Sequence, residues 1–273
     1  MKDFRVELPG GTLAGVRREG AGQSSSQSSG QSSSTPLVLA HGFGGSRHDW
    51  ERVIASLPPE LPLIAYDARG FGASTAEPGV AFSHADDLLA LLDALGVEQA
   101  DLCGLSMGGG NVLHFALDHP ERVRRLILVS PLMLGWSWTS DWIDRWKAMG
   151  RAARAGDMAT ARELWWHHPL FDSTREIPEA AAHLKASIDA FAGHQWAQDD
   201  QRPELPEVDR LTDLATPTLL LTGARDTEDF RLIAELIAGA GQNVTRLDRA
   251  EAGHLLNLET PDTLAREIKA FLS

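Results

Sequence analysis

Residues 3–18 alternate apolar and polar positions on either side of Pro9-Gly10-Gly11, which predicts a β-hairpin. Beyond them the alternation gives way to continuous apolar runs at 37–40, 63–66, 100–103, 126–129 and 218–221, with a further strand candidate at 242–247. Uninterrupted runs of that length suit strands covered on both faces, as in a parallel sheet. Between the second and third runs, Ser83 precedes an acidic first turn and an apolar face of Leu88, Leu89, Leu91, Leu92 and Leu95, closed by Gly96. An N-cap residue, a stripe and a glycine stop predict a helix packed on the sheet. From about 131 to 206 the strand signal disappears, and helical patterns near 141–155, 158–168 and 178–198 replace it. The expected division is an α/β core over 1–131 and 207–273, with a helical insertion, a cap, over 132–206.

Seven of the eight tryptophans fall in that insertion. Trp142 and Trp146 are one helical turn apart, so packing onto the core explains any one of them. Together they suggest an apolar, partly aromatic pocket. Trp138, Trp142, Trp146 and Trp166 are the lining candidates, with Leu255 from the far end of the chain. Residues 19–35 form a Ser/Gln/Gly-rich run, expected to be a flexible loop within the first sheet rather than a linker.

The 273 residues suit one large α/β domain or a core with an inserted subdomain. With 25 basic against 38 acidic residues the net charge is −13, which argues against nucleic-acid and anionic-membrane partners. Cys103 is the only cysteine, so an intrachain disulfide and a structural metal-thiolate site are excluded. No apolar core of leader length stands near Met1, and no stretch approaches the roughly 18 apolar residues of a membrane span, so a cytoplasmic setting is expected.

The candidate chemistry starts at Gly104-Leu105-Ser106-Met107-Gly108, between an apolar run and a helix-like stretch. A serine on a sharp strand-to-helix turn needs glycine two places before and after it, because neighbouring backbone comes too close for a Cβ. Its hydroxyl then stands at a helix N-terminus that favours developing negative charge. Such a serine needs a base and an orienting acid. His254, just before the final helix, is the candidate base, and Asp226, after the run at 218–221, the candidate acid, with Glu228 and Asp229 as alternatives. The oxyanion donors expected are the backbone N–H groups of Met107 and of Phe43, within His41-Gly42-Phe43-Gly44-Gly45-Ser46. That stretch lacks the lysine of a P-loop and the glycine spacing of a dinucleotide fingerprint. His167-His168 point about 100° apart on a helix and have no matched ligand set, so no metal is expected, and no cofactor.

His41-Gly42, the stretch Tyr66 to Ser74, the elbow from Gly104 to Gly109, Gly223 to Asp226, and Gly253-His254 followed by Leu258-Glu259 together resemble the α/β-hydrolase fold superfamily. The resemblance implies a mostly parallel, doubly wound eight-stranded sheet with a helical cap, as in its esterase and enol-lactonase-like members. It makes Asp67 and Arg69 a structural turn and His41 a brace of the oxyanion loop. Thr227 stands where the family commonly has proline. A serine nucleophile points to hydrolysis of a carboxylic ester or lactone of small to medium hydrophobic character. Leu105 departs from the asparagine common in carbon–carbon bond hydrolases of this fold, and a cofactor-free perhydrolase would share the same triad. The alternative from another class is a ligand-sensing protein that keeps the fold and turns over little. Oligomeric state is not encoded in any of these motifs.

Overall fold

The computed structural model describes residues 1–20 and 35–273; the loop expected over 19–35 lies almost wholly outside the described residues. Among those described, nine strands form a single sheet: β1 (Lys2–Leu8), β2 (Gly11–Arg18), β3 (Leu37–Ala40), β4 (Leu63–Tyr66), β5 (Thr75–Ala76), β6 (Ala100–Leu105), β7 (Val123–Val129), β8 (Thr218–Gly223) and β9 (Val244–Arg249). The spatial order is β1-β2-β4-β3-β6-β7-β8-β9, and the two-residue β5 adds to β2. β1 and β2 are the expected hairpin and β2 runs antiparallel to β4, while from β4 to β9 every pairing is parallel. The eight strands expected are the main path, and β5 is the addition.

Helices fill the crossovers: α1 (Glu51–Ser56), α2 (His84–Ala94), α3 (Met107–Asp118), α4 (Ser140–Arg154), α5 (Met158–Trp166), α6 (Asp172–Arg175), α7 (Pro178–Ala190), α8 (His194–Ala197), α9 (Glu228–Ala240), α10 (Leu256–Glu259) and α11 (Pro261–Leu272). Successive strand side chains point to opposite faces, and both faces here are covered. Leu37 and Leu39 pack with Val53 and Ile54 of α1 and Leu264 and Ile268 of α11. Val38 and Ala40 pack with Leu88 of α2, Phe115 of α3 and Ile233 of α9. This is why the runs are so apolar: each buried leucine contributes about 1.5–3 kcal/mol, and the polar exceptions, Asp101 and Thr218, are paired with Arg124 and Thr216 O. The Ser83 hydroxyl caps α2 by accepting from the backbone N–H groups of Ala85 and Asp86.

Helices α4 to α8 all lie between β7 and β8. The third helical pattern of this segment is broken, with α7 ending at Ala190 and α8 resuming at His194. Gly193, in a left-handed conformation at φ +76°, turns the chain between them. The polypeptide steps from β3 outward to β4 and then places β6 on the other side of β3. Their carboxyl ends therefore flank a crevice where crossovers leave in opposite directions, the position at which open α/β sheets bind ligands.

Candidate active site

Ser106 sits at the carboxyl end of β6, one residue ahead of α3, with φ +54° and ψ −117°. A non-glycine residue holds such a conformation only when its surroundings over-determine it. Here they do: Ser106 N–H donates to Val129 O (2.9 Å), and Ser106 O accepts from the amides of Gly110 (3.0 Å) and Leu132 (2.9 Å). The flanking glycines answer to close approach. A Cβ on Gly104 would stand 2.2 Å from Gly108 O, and one on Gly108 would stand 2.4 Å from Ala40 O.

Asp226 follows β8 and His254 precedes α10, and the two loops meet backbone to backbone. A Cβ on Gly223 would lie 1.9 Å from Gly253 O, while the amides of Ala224 and Arg225 donate to Arg249 O and Ala252 O at 2.9 Å each. His254 Nδ1 lies 2.9 Å from Asp226 Oδ2, with both side chains buried. A carboxylate only accepts, so Nδ1 carries the proton and Nε2 keeps its lone pair. That Nε2 is buried without a hydrogen-bond partner. The other Asp226 oxygen accepts from Thr227 N–H at 2.7 Å. Of the alternative acids, Glu228 is exposed and Asp229 is committed elsewhere, accepting from Trp136 Nε1 (3.0 Å) and the Thr139 hydroxyl (2.8 Å).

Glu259 holds the histidine loop from beneath: its carboxylate accepts from Gly253 N–H (2.5 Å), Leu255 N–H (3.3 Å) and the Thr174 hydroxyl (2.6 Å). His41 Nε2 accepts from Ala68 N–H (2.9 Å), so its Nδ1 carries the proton donated to Gly42 O (2.8 Å). The ring thus ties the loop after β3 to the loop after β4. There Asp67 accepts from Arg47 N–H (2.7 Å) and Ala73 N–H (2.9 Å), and Arg69 makes a bidentate pair with Asp87. These are bracing roles. Among the described residues the amides of Phe43 and Met107 have no acceptor, so both remain available to a ligand oxygen.

A cavity of about 450 Å³ opens over Ser106. Its apolar lining includes Phe43, Trp138, Trp142, Trp146 and Phe230, with Trp138 and Trp142 stacked at 4.4 Å between ring centroids. Phe230 also meets the His254 ring at 4.3 Å, connecting the cavity wall to the histidine. Two expected lining residues stand elsewhere. Trp165, not Trp166, lines the cavity; on a helix the neighbouring position turns away, and Trp166 lies under the Arg175 guanidinium at 5.9 Å. Leu255 borders instead a separate void of about 30 Å³ behind the loop of Gly42 to Gly45.

His168 is buried between Trp142 and Trp165, at 4.9 and 5.3 Å. Burial, with Arg145 and His254 nearby, lowers its pKa to about 4. Among the described residues there is no cluster of metal-ligating side chains, and no helix long and apolar enough to cross a membrane.

Sequence patterning missed the polar lining of the cavity, to which His114, Gln195, Asp199, Glu204 and Glu207 contribute. Glu204 and Glu207 sit in a charged, proline-rich stretch that reads like any solvated surface. The only signal was His114 on the apolar face of α3, four residues from Asp118.

Residues 35–261 match the family model described as the alpha/beta hydrolase fold. A 3-oxoadipate enol-lactonase of Acinetobacter baylyi is 27% identical over 258 residues, covering 89% of this chain and 90% of its own length. The carboxylesterase YbfK of Bacillus subtilis is also 27% identical, over 89% of this chain and 82% of its own. A solved thermophilic esterase from Thermogutta terrifontis superposes with a TM-score of 0.81 at 26% identity, covering 100% of this chain and 98% of that one. The strand order, the strained serine turn and these matches lead to one statement: the chain belongs to the α/β-hydrolase fold family.

Proposed function

We propose that the protein is a serine hydrolase that cleaves a carboxylic ester or lactone of small to medium, largely hydrophobic character through an acyl-enzyme. The observation that carries this reading is the buried His254–Asp226 pair, whose Nε2 is left without a partner, in a fold that presents Ser106 at a strained turn under an aromatic cavity. In this mechanism His254 Nε2 takes the Ser106 proton as Oγ attacks the carbonyl carbon. Asp226 holds the ring in the required tautomer and stabilises the imidazolium. The Phe43 and Met107 amides receive the oxyanion, which at such sites is worth about 2.7–4 kcal/mol per donor. His254 then returns the proton to the leaving alkoxide, and water, activated by the same nitrogen, releases the acid. Helices α4 to α8 act as the cap that excludes water and shapes the substrate. The named activities of the relatives, lactonase and carboxylesterase, support the same bond class.

Turnover of short-chain chromogenic esters and simple lactones tests the reading. Ser106→Ala should lower kcat by roughly 10⁴–10⁶ while leaving the fold intact. Undiminished turnover in that variant would overturn it.

A further inference from the structure

The cavity over Ser106 has two unlike sets of lining groups. Besides the tryptophans, Asp199, Glu204 and Glu207 line the same space, together with Gln195 and His114. Glu207 is fully buried, with one carboxylate oxygen fixed by Leu134 N–H at 2.7 Å. Its other oxygen, Oε1, lies 3.3 Å from His114 Nδ1 in poor hydrogen-bond alignment; Glu207, with Glu204 and Asp118, raises the His114 pKa, so that imidazole supplies part of the counter-charge. The Gln195 amide is oriented by its Nε2, which donates to Gly70 O at 2.9 Å, so its buried Oε1 is a second acceptor without a donor. Glu204 is held by the Ser83 hydroxyl and stands 3.5 Å from His114 Nε2. Among the described residues Lys147, exposed on α4, is the one lysine or arginine lining the cavity.

Buried acceptors without donors are costly unless a ligand satisfies them. The two buried acceptors, Glu207 Oε1 and Gln195 Oε1, with the half-buried Glu204 and the exposed Asp199 lining the same cavity, ask for a group that donates several hydrogen bonds and adds positive charge to what His114 and Lys147 supply. A carboxylate there would find acceptors and like charge.

Resting on Ser106 as the reacting group, we propose that these acceptors form a specificity site which selects ester or lactone substrates bearing an ammonium group remote from the scissile carbonyl and rejects those bearing a carboxylate. The aromatic rings take the apolar stem and the acceptors take the charged end.

The test uses three esters of one alcohol whose acyl chains match in length and end in –NH₃⁺, its isostere –CH₃, or –CO₂⁻. The expected order of kcat/KM is ammonium, methyl, carboxylate, with ammonium over carboxylate by about 100-fold. Glu204→Gln keeps an acceptor for Ser83 and should reduce that ratio about tenfold, and Asp199→Asn by less. Each ratio is taken within one protein, so a general loss of activity cancels. A ratio at or below one, or a ratio unchanged in Glu204→Gln and in the variant that combines Glu204→Gln with Asp199→Asn, overturns the proposal. If none of the three esters is cleaved, the hydrolase reading has failed instead. Tryptophan fluorescence titrated with hexylammonium and with hexanoate then decides the selectivity: tighter hexylammonium binding, weakened in Glu204→Gln, supports it, and equal or reversed affinities sink it.

Discussion

The switch point between the neighbouring strands β3 and β6 and the helical segment after β7 are built on opposite logics. Around Ser106 the geometry is set by backbone: Gly104, Gly108 and Gly223 are glycines because carbonyl oxygens lie within 2.4 Å of where a Cβ would be. In the segment between β7 and β8 the geometry is set by side chains, with stacked tryptophans and several carboxylates lining one cavity. A backbone device tolerates few substitutions, whereas a side-chain lining can be altered one group at a time. On the proposed function, the first region would fix which bond is attacked, and the second which molecule is admitted.

The comparison makes graded predictions. Gly104→Ala should do most damage, since its methyl would meet Gly108 O at 2.2 Å. We expect a loss of more than about 3 kcal/mol in denaturant unfolding, with activity gone. If it folds with normal activity, the elbow is not backbone-determined. Asp226→Asn should fold normally and lower kcat by about 10⁴, because an amide favours the wrong imidazole tautomer. A loss under tenfold would move the acid elsewhere. Trp142→Ala should leave acetyl esters little changed and reduce kcat/KM for longer acyl chains by about 10–100-fold, read against chain length. An equal loss on every ester would make Trp142 a folding residue only.

The last prediction concerns two buried histidines, His84 of α2 and His168 ahead of α6. Burial holds His84 of α2 at a pKa of about 3, and burial with Arg145 and His254 nearby holds His168 at about 4. Both are depressed below the unfolded value of about 6.5, so the unfolded chain binds more protons as pH falls beneath it. Their neutral forms cost nothing above that value, and stability declines below it by up to about 1.4 kcal/mol per pH unit for each, until the folded pKa is reached. His168→Asn keeps an acceptor for Leu170 N–H and should flatten the decline between pH 6 and about 4, measured by urea unfolding. An unaltered slope would mean that His168 titrates normally.

Legibility in the sequence divides along the same line. The hairpin, the strand runs and the serine turn were visible because strand burial and glycine contact leave periodic or positional signatures. Thus β3 and β4 begin and end where the apolar runs do. β5, only two residues long, leaves no run to detect. The break between α7 and α8 turns on Gly193 alone, inside a stretch whose helical character continues beyond it. Trp165 and Trp166 are chemically identical neighbours, and only the rotation of α5 decides which one faces the cavity. Glu207 is the harder case: a fully buried carboxylate within a stretch that also contains exposed Arg202, Leu205 and Asp209. Its burial depends on α3 and the loop after β7, which no local pattern encodes.

The central claim is that Ser106 is activated by His254. Reaction of the folded protein with a fluorophosphonate, followed by mass mapping of the adduct, reads that directly. The account predicts a single adduct on Ser106 in the native chain, and labelling slowed by about 10³-fold or more in His254→Ala. An adduct on another residue, or Ser106 labelled as fast without His254, would contradict it.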